Sequence, residues 1–169
     1  MKTAKTIALG AVLVALALAL SYTERFIPLQ LVIPLPGVKL GLANIATLVS
    51  LYLLGWQTTV PIVAVRCFLG ALFGGLTGIL FSLTGSLIAL AVMAICKRLP
   101  IFSIYGVSIL GAAAHNIGQI LSAMVLMGSI YVWAYLPYLL VIAIFTGTAT
   151  GAAGAGILRT VKTVTISKK

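Results

Sequence analysis

Arg66 stands in the middle of an apolar stretch, where a charged side chain costs about 2.5–3.5 kcal/mol on membrane-insertion scales. The chain offers it one carboxylate, Glu24, because it holds a single acid against eleven Lys and Arg. If Glu24 is out of reach, Arg66 has to bond backbone carbonyls, polar side chains or an anionic ligand in a watery cavity. A structural and a ligand-binding role are both open, and ionisable residues inside apolar spans favour the second.

A second polar group lies in Ala114-His115-Asn116-Ile117-Gly118-Gln119. His115 and Gln119 are four apart and Asn116 and Gln119 three apart, so the three project from one side of a helix otherwise made of Ile, Leu, Ala and Met. That side faces the interior of a helix bundle, either as interhelical hydrogen-bond glue or as part of a site. Asn44 lies early in another apolar run and Lys39 just before it. Lys39 serves equally well as a snorkelling topology residue or as a recruiter of anions. Ser82 and Ser86 fit helix packing, and Cys67 and Cys96 lie within or at the end of apolar runs as packing residues, with no disulfide or metal spacing.

Catalysis has little to work with. There is no Asp, and one Glu builds neither a carboxylate pair nor a metal cage. No Gly-Lys-Ser/Thr phosphate loop is present, so the chain does not itself hydrolyse nucleotide. No cofactor, no metal and no enzymatic activity are expected.

The elements that position these residues follow from composition. Hydrophobic residues make up 62% and charged residues 7% of the 169 positions, which leaves no polar skin for a water-soluble fold. The bilayer is the solvent, and the chain is one all-α transmembrane domain spanning 1–169. The net charge of +10 would suggest nucleic acid in a soluble protein. Here most basic residues flank apolar runs, which encodes topology instead, and no nucleic-acid partner is expected.

Six transmembrane helices are predicted, at about 6–23, 40–54, 58–73, 79–96, 104–127 and 136–158. The first begins after Lys5 and reads as an uncleaved span, since further apolar segments follow it. Pro28, Pro34, Pro36 and Gly37 make 24–39 an external loop on or in the membrane surface. The Gly74-Gly75-Leu76-Thr77-Gly78 cluster makes a tight turn, and Tyr131, Trp133, Tyr135 and Tyr138 form an interfacial belt. With both termini cytoplasmic, one face collects Lys2, Lys5, Lys97, Arg98, Arg159, Lys162, Lys168 and Lys169, the other only Arg25 and Lys39. Small residues recur at Ala4, Ala8, Ala11, Ala15 and Ala19, and again at Gly147, Gly151 and Gly154 with Thr146 and Thr150. The second set suits packing within the bundle; the first suits either that or a helix of a partner subunit.

Several stretches carry a likeness to a known family. Pro36-Gly37-Val38-Lys39-Leu40-Gly41-Leu42-Ala43-Asn44-Ile45, Arg66 with Leu69-Gly70, Phe81-Ser82-Leu83-Thr84-Gly85 and Ala114-His115-Asn116-Ile117-Gly118-Gln119 resemble the Gx transporter family, often labelled heptaprenyl diphosphate synthase component I. The resemblance implies a fold similar to the substrate-binding (S) components of energy-coupling factor transporters: six helices with a ligand pocket near the outer surface. It implies a lid formed by the loop after the first helix. It also implies docking of a transmembrane coupling subunit on Ala4, Ala8, Ala11 and Ala15, with ATPase subunits beyond, in the plasma membrane of a bacterial or archaeal cell. Prenyl diphosphate synthases use Asp-rich motifs to hold magnesium, and this chain departs from that pattern entirely.

The expected function is therefore capture of a small, anionic, partly apolar cofactor or precursor from outside. Arg66 would pair its negative group, and Asn44, His115, Asn116, Gln119 and Lys39 would line its site. The alternative is a non-catalytic accessory subunit of an isoprenoid, quinone or flavin-based electron-transfer assembly.

Overall fold

The structure, a computed structural model, describes residues 2–26 and 39–166. The proline-rich stretch 27–38 of the expected external loop, and Lys168 and Lys169 of the basic tail, lie outside the described residues.

Helix α1 (Lys2–Thr23) ends in a 3-10 turn, Glu24–Phe26. After it come α2 (Asn44–Leu54), α3 (Trp56–Arg98), α4 (Ile104–Met127) and, through a 3-10 segment at Ile130–Tyr135, α5 (Leu136–Ile166). No strand occurs among the described residues.

As a single rod, α3 would measure about 64 Å at 1.5 Å per residue, roughly twice the hydrocarbon thickness. It is broken at Gly75, whose φ of 66° and ψ of −174° are non-helical and open to a residue without Cβ. The Arg66 guanidinium donates to the Ser86 hydroxyl across this break, so the two halves of α3 run back against each other.

The other junctions from α2 to α5 show the same arrangement. Ser50 and Thr59 hydroxyls bond at 2.9 Å across the Gly55 turn, where φ is +79°. Thr84 and Ser122 bond across the turn capped by Ser103, whose hydroxyl accepts from the Gly106 N–H at 3.3 Å. Ser108 and Thr150 bond at 2.8 Å across Gly128, a left-handed cap whose N–H donates to the Met124 carbonyl. In each case the bonded residues sit at nearly equal distances from the turn, so consecutive segments are antiparallel.

Among the described residues, four segments are long and apolar enough to cross a membrane: Ala4–Thr23, Thr77–Arg98, Ile104–Met127 and Ile130–Thr163. Asn44–Leu54 and Trp56–Leu72 are apolar but shorter. Helix α2 starts at Asn44 rather than near 40 because Gly41 takes a φ of +83° and the Leu42 N–H goes to the Glu24 carboxylate. Helix α3 starts at Trp56, two residues before the expected 58, which puts Pro61 past the first turn; its missing N–H leaves the Gln57 carbonyl without its helical donor. Helix α5 continues to Ile166, beyond the expected 158, since nothing in 159–166 breaks a helix.

The apolar core joins Leu48 and Leu51 of α2, Val63, Cys67, Ala89 and Met93 of α3, and Val107 of α4. A second group, Phe81, Ile120, Ala123, Val132, Leu136 and Leu139, seals the opposite end of α3, α4 and α5. Glycines set the closest crossings. A Cβ on Gly147 would lie 2.5 Å from the Ile109 Cα, and one on Gly118 would lie 2.7 Å from the Gly85 Cα. Only residues without a side chain allow backbones this close.

Candidate functional site

A buried polar cluster lies where the start of α2, both halves of α3 and the middle of α4 meet. Its scaffold is the turn ahead of α2. Glu24, 6% exposed, reaches from the end of α1 to accept the Leu42 N–H, so its carboxylate caps the approach to α2 from another helix. Burial pushes the Glu24 carboxyl above the usual carboxylate range, while the Leu42 N–H and the charges of Lys39 and Arg66 act against that rise. Glu24 and Arg66 thus feel each other's charge, yet among the described residues the hydrogen-bond partner of Arg66 is Ser86.

Lys39 joins three elements. Its backbone N–H donates to Gln119 Oε1 at 3.3 Å and its ammonium donates to the Ser82 hydroxyl at 2.9 Å. Ser82 and Ser86, four apart on the second half of α3, therefore each receive a cation. Their helical spacing was the available signal for this role, since residues i and i+4 share a face.

Gln119 Nε2 donates to His115 Nε2 at 3.1 Å. This leaves Nδ1 to carry the proton of a neutral imidazole, an assignment made from the hydrogen-bond network. Gly41 and Gly85 flank the ring: a Cβ on Gly41 would stand 3.1 Å from His115 Cδ2 and 3.0 Å from Asn44 Nδ2. His115 and Asn44 therefore close on the same point. Asn116 points elsewhere, its amide donating to the Leu139 carbonyl of α5 at 2.7 Å, so it ties α4 to α5 beside the cluster. The sequence reading missed Thr47, one turn after Asn44 on the same face of α2, and took the cation-bonded serines of α3, Ser82 and Ser86, for packing residues.

Many polar atoms here have no protein hydrogen-bond partner. Both amide atoms of Asn44, Thr47 Oγ1, Arg66 Nε, His115 Nδ1 and Asn116 Oδ1 are buried and unpartnered among the described residues. Each such atom costs about 1–3 kcal/mol. All six such side-chain atoms found among the described residues belong to these five side chains, whereas polar ties elsewhere in the bundle are satisfied. Arg66, Asn44, His115, Gln119 and Lys39 are thus brought together, with Asn116 at the margin.

The candidate partner face lies apart from the cluster. Ala4, Ala8, Ala11 and Ala15 are all exposed on α1, while Gly10, Leu13 and Ala17 turn inward. Among the described residues no group of three or more His, Cys, Asp or Glu is arranged to hold a metal ion.

Neither the curated proteins nor the solved structures give a match. A family model described as heptaprenyl diphosphate synthase component I matches residues 13–157, a stretch that takes in Glu24, Lys39, Asn44, Arg66, His115 and Gln119. The chain, an all-helical protein with several helices apolar enough to span a bilayer, belongs to the heptaprenyl diphosphate synthase component I family.

Proposed function

We propose that this chain is the substrate-binding membrane subunit of an energy-coupling-factor-type transporter, and that it captures a small, anionic, partly apolar molecule from outside. The observation that carries this reading is the concentration of unpartnered buried polar atoms around Arg66. A packing role for these residues would have satisfied them, as it satisfies Ser50, Thr59, Ser108 and Thr150. Two cations, Arg66 and Lys39, face one carboxylate there, so the cluster favours a negative ligand.

In this reading all six helical segments cross the membrane with both termini cytoplasmic, and the cluster opens toward the outer face. The chain does no chemistry on what it binds. Exposure of Ala4, Ala8 and Ala11 supports a docked helix of a coupling subunit, with ATPase subunits supplying the energy. The second reading, a non-catalytic accessory subunit of an isoprenoid or electron-transfer assembly, draws its support from the family description, which is that of one component of a larger enzyme.

Mass spectrometry of gently purified protein separates the two. A small anion retained by the wild type and lost from Arg66→Ala is expected for the transporter subunit. An empty wild type in every preparation would favour the scaffold.

A further inference from the structure

Asn44 is the most exacting member of the cluster. It is 2% exposed, and both its amide nitrogen and its amide oxygen lack a partner among the described residues. A carboxamide presents these two atoms side by side in one plane, one a donor and one an acceptor. An anion satisfies only the nitrogen and leaves the oxygen bare. The group that satisfies both at once is another donor–acceptor pair in the opposite order, as on the edge of a cyclic amide or imide.

The surroundings supply a second such pairing and a wall for a ring. Thr47 Oγ1, one turn further along α2, both donates and accepts. Gly41 stands between Asn44 and His115, where a Cβ would lie 3.0 Å from Asn44 Nδ2 and 3.1 Å from His115 Cδ2. Arg66 reaches the cluster from the other side, through Ser86 and the neighbouring Gly85 that touches the imidazole.

We infer that Asn44 reads a planar cyclic amide or imide edge on the same molecule whose negative group Arg66 holds. This rests on the ligand-binding reading above and narrows it: the substrate class is an anionic heterocycle with a ring N–H beside a ring carbonyl. Simple carboxylates, phosphates and prenyl diphosphates lack that edge and fill only the cationic half of the site.

Two probes and two variants test this with the full chain in lipid nanodiscs. Orotate carries a carboxylate and two ring N–H groups beside carbonyls; 1,3-dimethylorotate keeps the carboxylate and ring but has both N–H groups blocked. Binding is read by calorimetry and by thermal shift. Orotate is expected to bind wild type about tenfold or more tighter than the dimethyl compound, since a site built for a hydrogen bond rejects the analogue without it. Asn44→Leu, similar in volume, removes the unpartnered amide and is expected to fold with undiminished thermal stability. It should bind the two probes equally, at the level of dimethylorotate on wild type.

Equal binding of both probes by wild type, or an orotate preference that survives in Asn44→Leu, would overturn the inference while leaving the anion site standing. Failure of both probes to bind wild type, or binding unaffected by Arg66→Ala, would overturn the anion site itself and the inference with it.

Discussion

Gly85 lies against the imidazole of His115: a Cβ built on the glycine would stand 2.8 Å from both Cε1 and Nδ1 of the ring. On the facing helix a Cβ on Gly118 would meet the Gly85 Cα at 2.7 Å. The crossing of α3 and α4 and the aim of His115 are therefore set by one pair of glycines. Gly118→Ala, which strikes backbone, is expected to lower stability by about 2–3 kcal/mol as an overpacking change. Gly85→Ala pushes mainly on a ring and should cost about 1 kcal/mol while reducing retention of the bound anion. Thermal unfolding in detergent and mass spectrometry of the purified variants check the two effects.

Arg66 tests whether the cluster is built for stability or for a ligand. A buried guanidinium with Nε unpartnered destabilises the empty protein. Arg66→Met, which keeps an unbranched apolar stem and removes the guanidinium charge, is expected to raise the unfolding midpoint of ligand-free protein by the equivalent of about 1–3 kcal/mol and to abolish anion binding. A fall in stability of that size would assign Arg66 a structural role.

Glu24 gives the fold a pH dependence of definite sign. Its folded-state pKa lies above the ordinary 4.5 because of burial, so in the window just above 4.5 the folded chain holds a proton that the unfolded chain has lost. The contribution of this group to stability is therefore present below 4.5 and is lost as the pH rises through the folded value. Glu24→Gln still accepts the Leu42 N–H and does not titrate. Unfolding midpoints measured from pH 4.5 to 8 should decline for wild type relative to this variant.

Polar ties within the bundle are expected to contribute little. Ser108 and Thr150 share a satisfied buried hydrogen bond, and such bonds between membrane helices average about 0.6 kcal/mol. Thr150→Val should cost that much in thermal unfolding and leave anion retention unchanged.

Leucine at Ala11, on the exposed side of α1, removes no internal contact and should shift stability by less than about 0.5 kcal/mol. If that side docks a coupling subunit, the same change abolishes co-purification of ATPase subunits with the chain. Stability loss without a partner effect would place Ala11 inside the bundle's own packing.

Much of this was legible in the residues. The apolar runs mark the helices, and the glycines at 55, 75 and 128 fall where the chain changes direction, because a positive φ is open to glycine and costly to others. Arg66, Asn44, His115 and Gln119 stood out because polar groups inside apolar helices have few reasons to be there. Less was readable where a property depends on which helices meet. Asn116 shares a helical turn with His115, yet it turns to the Leu139 carbonyl, and only the position of α5 decides that. Glu24 is the one carboxylate the sequence offers Arg66, and whether it reaches that far is open there; its hydrogen bond goes to the Leu42 N–H because the turn at Gly41 presents that donor to the end of α1. Ser82 and Ser86 read as ordinary packing residues, since a hydroxyl reveals nothing of the cation above it until the facing segment is in place.

The near-symmetric placement of bonded residues about each turn bears on how the chain is made. The side-chain ties Ser50–Thr59, Arg66–Ser86, Thr84–Ser122 and Ser108–Thr150 each link a segment to its immediate neighbour in sequence, so these hairpins close them as they emerge, without waiting for distant helices. The contact between Lys39 and Gln119 spans 80 residues and has to wait until α4 is in place. The polar cluster is thus completed late in biosynthesis, and a chain stalled before α4 holds Lys39 and Arg66 without His115 and Gln119.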